Sequence, residues 1–165
     1  MTPPFSLQKW ISENRDKLKP PVGNYCLWDN SGFLVMVIGG PNARTDYHIN
    51  PGEELFYQVE GDITVRIQEN GQVRDVPIRQ GEIFLLPPRV PHSPQRGPNT
   101  VGLVVEFPKA QIEDHHLQWF CQGCNQVVCD FPFRPVDLGK QITAMITRWN
   151  GDAALRTCKA CGKTN

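Results

Sequence analysis

Apolar positions recur along this chain at two different periods. Leu7, Trp10, Ile11 and Leu18 are spaced for one face of a helix over residues 7–18, with Ser6 placed to cap it and Lys19-Pro20-Pro21 to end it. From Tyr25 to about Phe107 the period shortens to that of strands. Residues 33–38 and 55–59 are apolar runs, and Ile63, Val65 and Ile67 alternate with Thr64, Arg66 and Gln68 as in a half-buried strand. Asn70-Gly71 predicts a tight hairpin into residues 73–78, and residues 83–86 and 101–107 complete the series. Many short strands separated by turn signals predict a sandwich or barrel. Beyond Pro108, residues 117–121 and 127–133 read as further strands. Leu138, Ile142, Met145, Ile146 and Trp149 then recur with helical spacing, and Gly151 stands where a C-cap belongs. The expectation is one all-β domain over 1–165. Its barrel spans about 22–108, with a short N-terminal helix, and an appendage at about 109–165 carries a C-terminal helix.

Composition narrows the classes. A chain of 165 residues with 39% hydrophobic content suits one domain with a real core. Lys plus Arg and Asp plus Glu both number 17, so the basic surplus expected of a nucleic-acid binder is missing. No apolar run approaches the roughly 20 residues that cross a bilayer, and Met1 to Trp10 lack the pattern of a signal peptide. A cytoplasmic protein with no membrane partner is expected. The 15 prolines favour a loop-rich β protein. Of the 6 cysteines, four form two C-x-x-C pairs, Cys121/Cys124 and Cys158/Cys161, with 33 residues between the pairs. Such pairs read as a tetrahedral four-thiolate metal site for Fe or Zn that would pin the tail. A disulfide pair or redox switch is the lesser alternative. Cys26 and Cys129 read as buried apolar thiols.

Two stretches carry the candidate chemistry. One runs from Gly40 through Arg44, Asp46, His48 and Glu54 to Gly61, the other from Gly81 through Pro87, Arg89 and His92 to Arg96. They resemble the two cupin motifs. Asp46 stands where the first motif has its leading histidine, Arg89 replaces a glycine and Arg96 the final asparagine. The set left is His48, Glu54 and His92: two imidazoles and one carboxylate, the facial arrangement of non-haem Fe(II) oxygenases with open positions for substrate and dioxygen. Glu53 is the rival of Glu54, but strand alternation sends the two to opposite faces. A cupin jelly-roll barrel is therefore expected.

The resemblance is closer than fold. The segments at 19–24, 39–48, 53–58 and 84–96, with Arg44-Thr-Asp-Tyr-His48 and His92-Ser-Pro-Gln-Arg96 the most specific, are similar to the 3-hydroxyanthranilate 3,4-dioxygenases, and the cysteine pairs to their two-metal bacterial and fungal form. That resemblance implies a substrate with adjacent carboxylate, amino and hydroxyl groups. Arg44 and Arg96 would clamp the carboxylate, and Glu106 would sit beside the amino and hydroxyl groups. Asn24 would stand at the pocket wall. The implied product is 2-amino-3-carboxymuconate semialdehyde, which closes to quinolinate, in tryptophan degradation and NAD biosynthesis; a homodimer is also implied. Rival readings are another cupin enzyme, such as a thiol dioxygenase or sugar isomerase, a non-catalytic cupin that senses an aromatic acid, and a zinc ribbon for nucleic acid.

Overall fold

The computed structural model describes residues 3–20, 23–28, 32–106 and 114–165. Eleven strands in the described residues make two antiparallel sheets: β1 (Asn24–Trp28), β2 (Leu34–Gly39), β3 (Tyr47–Ile49), β4 (Glu54–Glu60), β5 (Ile63–Glu69), β6 (Gln72–Ile78), β7 (Ile83–Leu86), β8 (His92–Arg96), β9 (Val101–Glu106), β10 (His115–Phe120) and β11 (Val127–Phe133). One sheet runs β1-β2-β9-β4-β7 and the other β11-β10-β3-β8-β5-β6. Met36, Phe56, Leu86 and Val104 from the first meet Ile63, Val65, Ile67 and Ile78 from the second in the main core. This is the all-β cupin barrel.

Local sequence accounts for most boundaries. Glu69 faces Gln72 across a two-residue turn in which Asn70 (φ 53) and Gly71 (φ 75) are both left-handed, as this hairpin requires. The first helix is shorter than its apolar spacing predicts. Ser6 caps α1 (Leu7–Glu13), but the Asn14 side chain donates to the Trp10 carbonyl at 2.8 Å and turns the chain into a 3-10 segment, Arg15–Leu18. Ile11 and Leu18 nevertheless reach one cluster with Val37 and Val101, on the back of the first sheet. Pro21 and Phe107, assigned above to the helix end and the last barrel strand, lie outside the described residues, as does the proposed boundary near 108.

The tail is tied directly into the barrel. β10 pairs with β3, so the second half of the chain extends the barrel's own sheet. α2 (Leu138–Gly151) lays Ile142, Met145, Ile146 and Trp149 against Leu117, Trp119 and Cys129, with Trp119 stacked on Trp149 at 4.7 Å. Gly151 does not cap this helix. It is the last helical residue, and Asp152 both ends α2, its amide donating to the Trp149 carbonyl, and caps α3 (Ala153–Arg156), its side chain accepting from the Ala154 and Leu155 amides. No helix among the described residues is long and apolar enough to cross a membrane.

Candidate active site

Strand pairing brings the candidate residues together. His48 and His92 are directly opposite on β3 and β8. Glu54 and Glu106 are directly opposite on β4 and β9 in the other sheet. Their side chains meet inside the barrel, where His48, Glu54, His92, Arg96 and Glu106 are all 5% exposed or less. Glu53 is exposed. Ligand atoms of His48, Glu54 and His92 all lie within 4.8 Å of one another.

The hydrogen bonding shows what this cluster fits. His92 Nδ1 lies 3.0 Å from the Val90 carbonyl, which can only accept, so Nδ1 carries the proton and Nε2 a lone pair. That Nε2 faces Glu54 Oε2 at 3.1 Å, and Glu54 Oε2 makes no hydrogen bond. Two acceptors so placed in a buried site repel unless a cation lies between them. Two ligand atoms about 2.1 Å from one ion, at a right angle, stand about 3 Å apart, which matches. Burial, with His92, His115 and Arg44 nearby, drives His48 well below its ordinary value and keeps it neutral, as ligation needs. The residues present thus fit a metal ion.

Around this centre are groups suited to an anionic ligand. Arg96 is buried, its Nη2 has no hydrogen-bond partner, and its Nη1 lies 3.5 Å from Gln58 Oε1. Gly102, opposite Gln58, makes room for it: a Cβ there would lie 2.8 Å from Gln58 Oε1 and 3.0 Å from Arg96 Nη1. Burial and the facing Glu54 push the Glu106 carboxyl well above the usual range. Arg44 is engaged differently from Arg96. Its guanidinium is ion-paired through Nε and Nη2 with Asp46, which is buried. Asn24 starts β1 and faces the beginning of α2, where a Cβ on Gly139 would lie 3.5 Å from its Oδ1.

Two site residues escape the sequence reading. Gln58 steadies Arg96. His115 is fully buried with its Nδ1 2.8 Å from His48 Nε2, so three of the chain's 4 histidines lie in one site. The signal was the alternation His115, Leu117, Trp119 on one face of β10.

The whole chain can now be set beside known proteins. The family model described as 3-hydroxyanthranilic acid dioxygenase matches residues 1–150. The chain belongs to the 3-hydroxyanthranilic acid dioxygenase family. It is 47% identical over 162 residues to a 3-hydroxyanthranilate 3,4-dioxygenase of Xanthomonas euvesicatoria, covering 98% of this chain and 92% of that one. One from Meyerozyma guilliermondii is also 47% identical, covering 98% of this chain and 95% of the relative. Protein NMB1881 from Neisseria meningitidis shares the fold, with a TM-score of 0.52 at 17% identity over 64% of this chain and 99% of that one. This member of the family carries a second cluster. Cys121, Cys124, Cys158 and Cys161 gather at the end of β10, with Sγ atoms 3.5 Å apart for Cys121–Cys161 and 3.6 Å for Cys124–Cys158. Four sulfurs about 2.3 Å from one ion form a tetrahedron with edges of roughly 3.7 Å, so this cluster also fits a metal. None of the six cysteines is in a disulfide. The Gly123 amide donates to Cys121 Sγ at 3.3 Å and pulls that thiol down to about 6.

Proposed function

We propose that this chain cleaves the ring of 3-hydroxyanthranilate with dioxygen, using Fe(II) held by His48, Glu54 and His92, to give 2-amino-3-carboxymuconate semialdehyde, the precursor of quinolinate. The curated relatives' names support the substrate. The observation that carries the site is the pair of buried acceptors, His92 Nε2 and Glu54 Oε2, 3.1 Å apart beside an unsatisfied guanidinium. When bound, a ferrous ion supplies open positions for the substrate's heteroatoms and dioxygen, and passes electron density between them. The protein does the rest. Arg96 takes the substrate carboxylate through its free Nη2 edge. Arg44 contributes through Nη1 while Asp46 holds its other edge. Glu106, which burial makes a stronger base, accepts the hydroxyl proton in its ionised form as the substrate docks. Asn24 lines the wall beside α2. The four-cysteine cluster, with no open position, holds Fe or Zn and fixes the tail.

The family resemblance further suggests a cytoplasmic homodimer, to be checked by sedimentation. The test of function is oxygen uptake by iron-loaded protein across ortho-aminophenols with and without the ring carboxylate. Turnover confined to the carboxylated substrates supports the proposal; binding without oxygen uptake would mark a sensor instead.

A further inference from the structure

His115 lies on the far side of His48 from the rest of the metal cluster. The strand order β10-β3-β8 puts His48 between His115 and His92. His48 pairs with Leu117, so His115, two residues earlier on β10, is the diagonal neighbour on the same face. The two imidazoles stack at 5.0 Å and 24°, and His115 Nδ1 is 2.8 Å from His48 Nε2. Phe133, directly opposite His115 on β11, packs beside both rings, its centroid 5.6 Å from that of His115 and 6.2 Å from that of His48. His115 is 0% exposed and shares this wall with Leu117, also 0% exposed. It is not among the three residues whose ligand atoms converge.

We propose that His115 is the positioning residue of the metal centre: it holds one nitrogen of His48 by a hydrogen bond so that the other is presented to the ion. The proposal rests on the reading of His48 as a ligand. A ligating imidazole needs its second nitrogen bonded, because that bond fixes both tautomer and ring angle. With Nε2 engaged by His115, Nδ1 is the nitrogen His48 has left for an ion. The ring of His115 is fully buried and packs against both His48 and Phe133, which restricts its turning. The partner is an imidazole, which brings no negative charge to this apolar wall. A carboxylate in the same place would add an uncompensated buried charge and make His48 a stronger donor. Holding His48 by a group that is not an anion leaves Glu54 as the anionic ligand of the set and the centre more readily kept ferrous.

The test measures Fe(II) affinity by chelator competition in full-length protein whose cysteine site has been filled with zinc. His115→Leu keeps an apolar group of similar size and is expected to weaken Fe(II) binding by roughly 10–100-fold, the usual loss for an outer partner of a ligand. His115→Asn offers an amide acceptor and should remain within about threefold of wild type, a rescue that a purely packing role would not produce. Pulsed electron paramagnetic resonance of the copper-substituted protein should count two coordinated imidazoles in wild type and in H115N. Unchanged affinity in H115L overturns the proposal, as does a tenfold or larger loss in H115N. A count of three imidazoles in wild type, falling to two in H115N, also overturns it by making His115 a ligand. His48→Ala separates the two levels of the argument. Wild-type affinity in H48A sinks the metal-centre reading itself, whereas loss in H48A with none in H115L sinks only the role of His115.

Discussion

Replacing Arg96 with methionine should make the substrate-free protein more stable and its catalysis less selective. Arg96 is 4% exposed and its Nη2 is unpartnered, so in the absence of substrate the fold holds a guanidinium that it does not satisfy. Burial, helped by Arg44 and opposed by Glu54, brings its value from 12.5 to about 10. A fall of that size is worth roughly 3 kcal/mol against the charged form. The sign follows from its being a base lowered by folding. The cost is fully present at every pH below about 10 and fades only above it, so it is felt at neutrality. Methionine matches the length of the arginine stem without the charge. The expected gain is about 1–3 kcal/mol after allowing for imperfect packing, or roughly 3–8 °C in melting temperature. Substrate reverses the balance, because its carboxylate satisfies the guanidinium. Two charge-assisted bonds at about 1.5–3 kcal/mol each imply a loss of at least ~100-fold in kcat/KM on 3-hydroxyanthranilate for R96M. Activity on 2-aminophenol, which has no carboxylate, should stay within about threefold. Melting curves with and without substrate, and oxygen uptake on both compounds, measure these effects. An R96M protein that melts lower than wild type, or that still prefers the carboxylated substrate as strongly, would refute the reasoning.

Four further outcomes are expected. Glu106→Gln should lower kcat by about 100-fold or more if the carboxylate takes a proton. It should also remove a pH slope in metal-free stability: Glu106 is raised above 4.5 by folding, so its contribution is lost as pH climbs from there through the folded value, and thermal melts of E106Q should be flatter across that range. Gly102→Ala places a Cβ 2.8 Å from Gln58 Oε1 and should displace the Arg96 head, raising KM about tenfold with little change in melting temperature; an unchanged KM would show that Arg96 is not held there. Thiols must lose their protons to hold the cysteine-site ion, so chelators should strip that ion faster at acidic pH than at pH 8, as metal analysis after gel filtration would reveal.

Much of the fold was legible because the barrel strands alternate cleanly and end in strong turn signals. Asn70-Gly71 set a hairpin that the register confirms, and residues 83–86 and 127–133 match β7 and β11. The strands missed by hydrophobic pattern are those that carry the chemistry. β3 has three residues, and β8 reads His-Ser-Pro-Gln-Arg, with no apolar alternation because its inward face holds ligands in place of core. Motif spacing recovered His48 and His92 where periodicity could not. His115 lay beyond both signals, since only the β3–β10 pairing brings it to His48 from 67 positions away. The helix ends failed for local reasons. The Asn14 side chain diverts α1, and Asp152, not Gly151, terminates α2. The pairing of Arg44 with Asp46 was equally invisible, because the departure from the cupin motif at Asp46 marks a lost ligand without naming the cation it would hold.

The proposed function depends on one iron shared by two imidazoles and a carboxylate. Anomalous diffraction on either side of the iron absorption edge, from crystals of iron-replete protein, tests that most directly. A peak within about 2.3 Å of His48, Glu54 and His92 together is the predicted result. Iron density confined to the four cysteines, with the space between those three side chains empty, would contradict it.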